Sequence, residues 1–335
     1  CLPELDLTKE GERPACNVHA RGGVVYSFEE NLYAAANYKD GYYKGKMKTV
    51  MVYKPTDGDV PAVPPCLIHE NAVDNRADNR AGEVAAGLQR LAKGVAACSH
   101  HGGLGADGTC LCLTGYTGTH CETHAADKFV SINEKKYNGY TKSMCPMKLS
   151  TSGKISDATV RLGASIAAKS FEIPTDAPVK MYEACVGCAG WFRAFREIRP
   201  MAQLVGIDVS PDIVKYAAEL VPDGVLLSGA STPTPFLPDN FFDMTVVGFC
   251  FNNIIWHALQ PIASEPEANI LEAICPFVHD LYRVTKPGGG VFLPQYYEKD
   301  IGNYNDRPML PLHFISKCLP ELDLTKEGER PACNV

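Results

Sequence analysis

The stretch MYEACVGCAGWF, residues 181–192, decides how this chain is read. Cys185 and Cys188 form a C-x-x-C, the spacing of a redox pair or of half a zinc site. Cys185, Gly187 and Gly190 come one residue short of the G-x-G-x-x-G turn that cradles a dinucleotide. Glu183 stands two positions ahead of a turn of small residues, as at the opening of a cofactor loop. The flanks help to choose. VKMYEA (179–184) reads as a strand and WFRAFREI as a helix, so N–H groups at the helix start can face a polar ligand. Gly187 and Gly190 let the chain turn tightly with no Cβ in the ligand's way.

Further apolar, β-prone runs follow: AQLVGID (202–208), GVLLSG (224–229), MTVVGFCF (244–251) and GGVFLPQYY (289–297). Helical segments lie between them, PDIVKYAAEL and a longer one around 267–285. In the latter, Ile270, Ile274, Phe277 and Leu281 recur at steps of four, three and four, and Pro276 is expected to kink or split it. Strands alternating with helices imply an α/β doubly wound domain, its mostly parallel sheet covered on both faces. Asp208 ends the second strand eighteen residues after Gly190, where a carboxylate can accept both ribose hydroxyls of a nucleoside. Ser210 then caps the next helix, with Pro211 at its first position. Up to this point NAD and S-adenosylmethionine (SAM) fit equally.

Two downstream stretches separate them. GASTPTPFLPDNFFDMTVV (229–247) and LYRVTKPGGGVFL (281–293) resemble class I SAM-dependent methyltransferases of the broad type 11 kind. The resemblance rests on Pro235, Phe236, Pro238, Asp239, Phe242 and Asp243, then on Arg283, Val284, Lys286, Pro287, Gly288 and Gly289. With Glu183 and VGIDVSP, four motifs stand in family order over 179–297. The resemblance implies a Rossmann-like methyltransferase sheet with SAM as cofactor. Glu183, Cys185, Gly187 and the loop through Gly190 would surround the methionine end, and Asp208 the ribose. The backbone of Gly248 and Phe249 would close over the methionine portion, and Asp243 is expected to hold a strand start. The chain departs from the family at Cys185, where a glycine is usual. It departs again at Ala230 or Ser231, where an acidic residue usually pairs with the adenine amino group. Here the base must rest on backbone and apolar contacts.

Methyl transfer is an in-line displacement and needs alignment above all. His257, in NNIIWHAL after the fourth strand, is the candidate base, weighed against a histidine packed on a helix face beside Trp256. Trp191, Phe249 and Trp256 are candidates for cation–π contact with the sulfonium, weighed against core packing. The acceptor is expected to be a small molecule. Two other readings remain: a non-catalytic interaction protein on a degenerate methyltransferase fold, and an NAD-dependent oxidoreductase, which the motif order disfavours. Within the cofactor loop the C-x-x-C loses its redox and zinc readings, because no second ligand pair stands at the spacing of a zinc finger.

Upstream, CSHHGGLGADGTCLCLTGYTGTHCE (98–122) crowds four of the chain's 14 cysteines together. Its C-x-C-x-x-G-Y-x-x-x-x-C resembles the C-terminal half of an EGF-like module, a small segment that crosslinks would hold. The resemblance implies disulfides Cys98–Cys110 and Cys112–Cys121, and a possible protein partner for the segment. The module is partial, since one family cysteine between Cys98 and Cys110 is absent. Zinc is the competing reading, with His100, His101, His120 and His124 as further ligands, but C-x-C followed by a long gap is not a usual zinc spacing. Neither zinc nor calcium is expected.

The remaining chain divides into a β-rich segment (1–65), a linker and short helix (66–97), a connector or cap (123–177), the methyltransferase domain (178–300) and a C-terminal extension (301–335). GVVYSF and KTVMVYK, within 19–53, read as strands. Residues 1–18, CLPELDLTKEGERPACNV, recur letter for letter as 318–335. A tandem repeat cut at arbitrary points, or a sequence overlap at the seam of one, is the reading preferred over a functional pair of capping segments, and the start at Cys1 without a Met agrees with it. The N-terminal strands would then complete the far edge of the sheet. Of the 335 residues 45% are hydrophobic, enough for a full core, and the net charge of −7 excludes general nucleic-acid binding. No apolar run is long enough to span a bilayer. Localisation stays divided: the clustered cysteines suggest a secretory or extracellular setting, SAM supply a cytoplasmic one. Cys185, Cys188, Cys250 and Cys275 have no partners legible in the sequence.

Overall fold

The computed structural model describes residues 24–26, 29–33, 44–53, 77–125, 157–170, 173, 175–231, 233–248, 250, 267–297, 315 and 317–320. In chain order the elements are β1 (Val24–Tyr26), β2 (Glu29–Tyr33), β3 (Lys44–Tyr53), α1 (Ala77–Ala97), β4 (Gly102–Leu104), β5 (Cys110–Cys112), β6 (Tyr116–Thr117) and β7 (Thr123–His124). There follow α2 (Asp157–Ser170), β8 (Val179–Ala184), α3 (Gly190–Ile198), β9 (Ala202–Asp208), α4 (Pro211–Leu220), β10 (Val225–Ser228), β11 (Phe242–Val247), α5 (Glu267–Val284) and β12 (Thr285–Tyr297).

The main sheet has eight strands in the order β1-β3-β12-β11-β8-β9-β10, with β2 also on β3. The five strands from β12 to β10 are parallel, in the doubly wound α/β arrangement that the alternating runs predict. All six residues of β11 are buried, as a strand with both faces covered requires. One face packs on α2, α3 and α4 through Val160, Ala164, Phe192, Phe195 and Ala217. The other packs on α1, α5 and the cysteine-rich segment through Leu88, Leu113, Phe277 and Leu281. Among the described residues no helix is long and apolar enough to cross a membrane.

At the far edge, β3 runs antiparallel to β12 over Gly290↔Tyr53 to Tyr297↔Lys46, and β1 pairs with β3. KTVMVYK and part of GVVYSF thus extend the sheet beyond its fifth parallel strand, although 240 residues of chain, roughly, separate partners. β1, β2 and β3 of the N-terminal segment share one sheet with the parallel strands.

Three local features differ from expectation. α5 passes through Pro276 as one helix. Pro276 and Glu272, one turn earlier, are both exposed, so the carbonyl left without an amide partner can bond to water. The stretch 123–177, expected as a connector or cap, contains α2, whose Val160, Ala164, Ala167 and Ala168 lie against the sheet's helical layer. The cysteines of the α/β half are also partnered: Cys185 bonds to Cys250 and Cys275 to Cys318, and Cys188 is disulfide-bonded too.

The residues behind the family resemblance form a clamp. Arg283, at the end of α5, donates to the carbonyls of Leu237 (2.7 Å) and Thr234 (2.9 Å) and to Asp239 and Asp280. Asp280 in turn accepts from the Thr234 amide (3.1 Å) and its hydroxyl. Asp243 accepts from the Lys180 amide (2.7 Å) and pairs with Lys286, tying the start of β11 to β8 and β12. At Gly289 a Cβ would lie 2.5 Å from the Asp243 carbonyl, so β12 can approach β11 there only without a side chain. Asp280→Asn removes one of the two charges that Arg283 faces, the buried one, while keeping the shape. It is expected to lower stability by about 2 kcal/mol, read as a lower urea midpoint at unchanged m-value.

Candidate functional site: the crevice at the head of the sheet

The chain runs outward from β8 through β9 to β10, then returns to place β11 on the other side of β8. In sheets of this kind ligands bind beyond the carboxyl ends of the strands, where the order reverses. That point is the gap between β8 and β11, and the turn 185–189 stands over it.

Cys185 (φ 57°), Gly187 (φ 52°) and Ala189 (φ 54°) are all left-handed. Two of the three carry a Cβ in a conformation that favours glycine, a local strain that the surrounding bonds must offset. The Cys185 amide donates to the Ser231 hydroxyl (3.3 Å) and the Val186 amide to the Ile207 carbonyl (2.8 Å). The Gly187 amide donates to Asp208 Oδ2 at 2.9 Å, so the small-residue turn and the carboxylate at the end of β9 meet directly. Asp208 Oδ1 accepts from the Ser210 amide at 3.0 Å. Ser210 caps α4 through the Ile213 amide, with Pro211 first in the helix. Asp208 is 8% exposed, and burial raises its carboxyl pKa while the amides of Ser210, Gly187 and Val209 hold it back.

Glu183, near the end of β8, is 1% exposed, and its Oε2 accepts from the Phe192 amide (3.2 Å) in the first turn of α3. Burial pushes its carboxyl up to about 8, against the pull of the Phe192 and Trp191 amides. Gly190 starts α3 and is buried. Trp191 fills the space over Gly248, where a Cβ would meet the indole at 2.2 Å, and stands edge-on to Phe292. Its ring is therefore part of the core. His257, Trp256 and Phe249 lie outside the described residues.

Two features were not legible in the motifs. The first is the Cys185–Cys250 disulfide, which joins the turn after β8 to the segment after β11 and so bridges the reversal point. Its signal lay in two cysteines just past the ends of strands that this fold makes neighbours. The second is the seat of the cysteine-rich segment. Cys98 and Cys110 are bonded, as are Cys112 and Cys121, so none of these sulfurs is a thiolate ligand. The segment covers the carboxyl end of β10. His101 Nδ1 contacts the Ser228 carbonyl (2.9 Å) and stacks on Tyr116 (3.7 Å), while the Ser228 amide donates to the His100 carbonyl (2.9 Å). The Ala230 amide donates to the Thr114 carbonyl (3.2 Å), and Leu113, fully buried, sits where a Cβ on Gly229 would lie. Ala230 itself is 3% exposed. Among the described residues no three His, Cys, Asp or Glu side chains gather as a metal site would require.

The crevice thus offers a buried carboxylate, a left-handed turn, and a wall of disulfide-bonded chain at the position after β10. Asp208 accepts from the Gly187 and Ser210 amides, with the Val209 amide acting on it as well, and a carboxylate with about four lone-pair sites keeps acceptor capacity toward a ribose. The residues present fit the ribose of a nucleoside cofactor. At the position after β10 the chain carries Ala230 and Ser231 in place of an acidic side chain.

No protein-family model matches the sequence, and no curated protein matches it. Solved structures are similar in part. A SAM-dependent methyltransferase from Aquifex aeolicus is 20% identical over 40% of this chain and 69% of its own, with a TM-score of 0.25. DesVI from Streptomyces venezuelae is 17% identical over 40% of this chain and 50% of its own, with a TM-score of 0.29. The [4+2]-cyclase SpnF is 21% identical over 40% of this chain and 43% of its own, also at 0.29. This chain spans about half the length of several of the structures it matches, and the likeness concerns fold alone.

Two predictions follow from the geometry of the turn. Glu183 keeps a proton in the fold where the unfolded chain has lost it, between its ordinary 4.5 and about 8. Stability from this group is full below that window and falls as pH rises through it, by at most ~1.4 kcal/mol per unit, and Asp208 acts in the same sense. Glu183→Gln is expected to flatten the decline of the urea midpoint between pH 5 and 8. Separately, Cys185→Ser with Cys250→Ser removes a crosslink closing 65 residues and should cost about 2–4 kcal/mol in chemical denaturation.

Proposed function

We propose that this chain is a SAM-dependent methyltransferase acting on a small molecule, with the cofactor in the crevice between β8 and β11. The observation that supports it best is the 2.9 Å bond from the Gly187 amide to Asp208, which sets the glycine-bearing turn against the carboxylate suited to a ribose. SAM would supply a methyl group on a sulfonium, passed in line to the acceptor. Asp208 would accept the two ribose hydroxyls, and the turn from Cys185 to Gly190 would enclose the methionine end. Glu183 would hold that turn from below by capping α3, and the backbone at Gly248 and Phe249 would line the other side. His257 is the proposed base on the acceptor side. The wall at Ala230 and Thr114 would exclude water from the base, which then depends on backbone and apolar contact.

A second reading is a non-catalytic protein in which the EGF-like segment binds a partner. It is favoured by the Ala230 amide, which is already taken by the Thr114 carbonyl. In either case the disulfides are expected to form in an oxidising compartment.

Calorimetric titration with SAM, its demethylated product and NAD separates the readings. The proposal expects SAM and the product to bind, and NAD not to. Asp208→Ala should weaken SAM by about a hundredfold, the loss of two charge-assisted hydrogen bonds. No binding of SAM would leave the second reading, and binding of NAD alone would make the chain an oxidoreductase.

A further inference from the structure

The segment Cys318–Val335 repeats Cys1–Val18 without a difference, and the structure gives the start of the second copy a specific seat. Cys318 is bonded to Cys275 of α5, and His279 Nε2 lies 2.5 Å from the Cys318 carbonyl. Leu319 enters a groove between α5 and β12 lined by Val278, Leu281, Tyr282, Val291 and Leu293. Cys318 and Leu319 are each 4% exposed. The groove therefore takes a sulfur, the carbonyl beside it and a leucine side chain. All three belong to the repeated letters, and Cys1-Leu2 supplies them equally. Ile315, which also lines the groove, lies ahead of the repeat.

β1–β3, which follow the first copy in the chain, belong to the same sheet as β12. β1 starts at Val24, shortly after Val18, and β3 pairs with β12 at Val291↔Val52 and Leu293↔Val50. The strand that follows the first copy thus lies in the same sheet as the strand that lines the groove, with β3 between them. Some 23 residues between Cys1 and Val24 can reach up to about 75 Å when extended, far more than the span between neighbouring elements. A tether of this kind gives an effective concentration in the millimolar range.

We propose that the α5–β12 groove is a docking site for the Cys-Leu-Pro-Glu-Leu-Asp segment from either copy, and that its second occupant is Cys1–Val18 of the same chain. Exchange needs no oxidant. The Cys1 thiolate attacks the sulfur of Cys275, the Cys1–Cys275 bond forms as Cys275–Cys318 breaks, and Cys318 leaves as a thiolate that takes a proton from water. Number and oxidation state of the sulfurs are conserved. Each exchange frees 318–335, so one groove serves two copies of the same segment.

The test uses the full chain with Cys318→Ser, produced under oxidising conditions and mapped by mass spectrometry without reduction. The expected result is a Cys275–Cys1 link in monomeric protein, reduced about tenfold when Leu2→Ala is added, because the groove selects the leucine as well as the sulfur. A free Cys275 thiol, a link to another cysteine, or a yield unaffected by Leu2→Ala overturns the proposal. A Cys275–Cys1 link found only between two chains also overturns it, since the occupant would then be a second copy. Should Cys318→Ser not fold, the unsubstituted chain gives the same readout. Cleavage after glutamate yields different peptides around Cys1 and Cys318, and both links to Cys275 are expected; absence of the Cys1 link refutes the exchange.

Discussion

The contact between Gly187 and Asp208 is the constraint on which the head of the sheet depends. It closes a turn in which Cys185, Gly187 and Ala189 are all left-handed, and it fixes the end of β9 to the end of β8. The second oxygen of Asp208 then holds Ser210, which starts α4. One side chain thus sets the direction of two consecutive helix entries. Glu183 does the same from inside the core by accepting the first amides of α3. Two buried carboxyl groups, both accepting from backbone N–H groups, define the crevice before any ligand is considered.

The disulfides answer a different need. The segment 98–125 has too little apolar surface to fold unaided, and Cys98–Cys110 and Cys112–Cys121 make it rigid. It then acts as a cover: Leu113 is buried against Gly229, and the stacked pair His101 and Tyr116 closes over Ser228. Cys185–Cys250 and Cys275–Cys318 brace the crevice and the helix behind it.

How far the sequence discloses this fold depends on the range of the interaction. The parallel strands were legible because each β-prone run is flanked by a turn and an amphipathic helix, all local signals. Asp208 and Ser210 were legible for the same reason. α2 was not, because its buried face consists of Val160 and alanines, which carry a weak apolar period. Pro276 misled because a local rule ignores exposure: on the outer face of α5 the missing hydrogen bond costs little. The partners of Cys185 and Cys275 lie 65 and 43 residues away, and only the strand order brings them together. The Arg283 clamp shows a further limit. A motif that pointed correctly to a fold consists of residues that hold the chain rather than meet a ligand.

The edge of the sheet has a consequence for synthesis. β3 leaves the ribosome long before β12, the strand it pairs with, so for most of translation its hydrogen-bonding groups have no native neighbour. Pairings of such wide separation form slowly. During that interval the nascent chain presents an open strand to any other β edge within reach, and a holding chaperone, or a high local concentration of its own late strands, would decide between closure and aggregation.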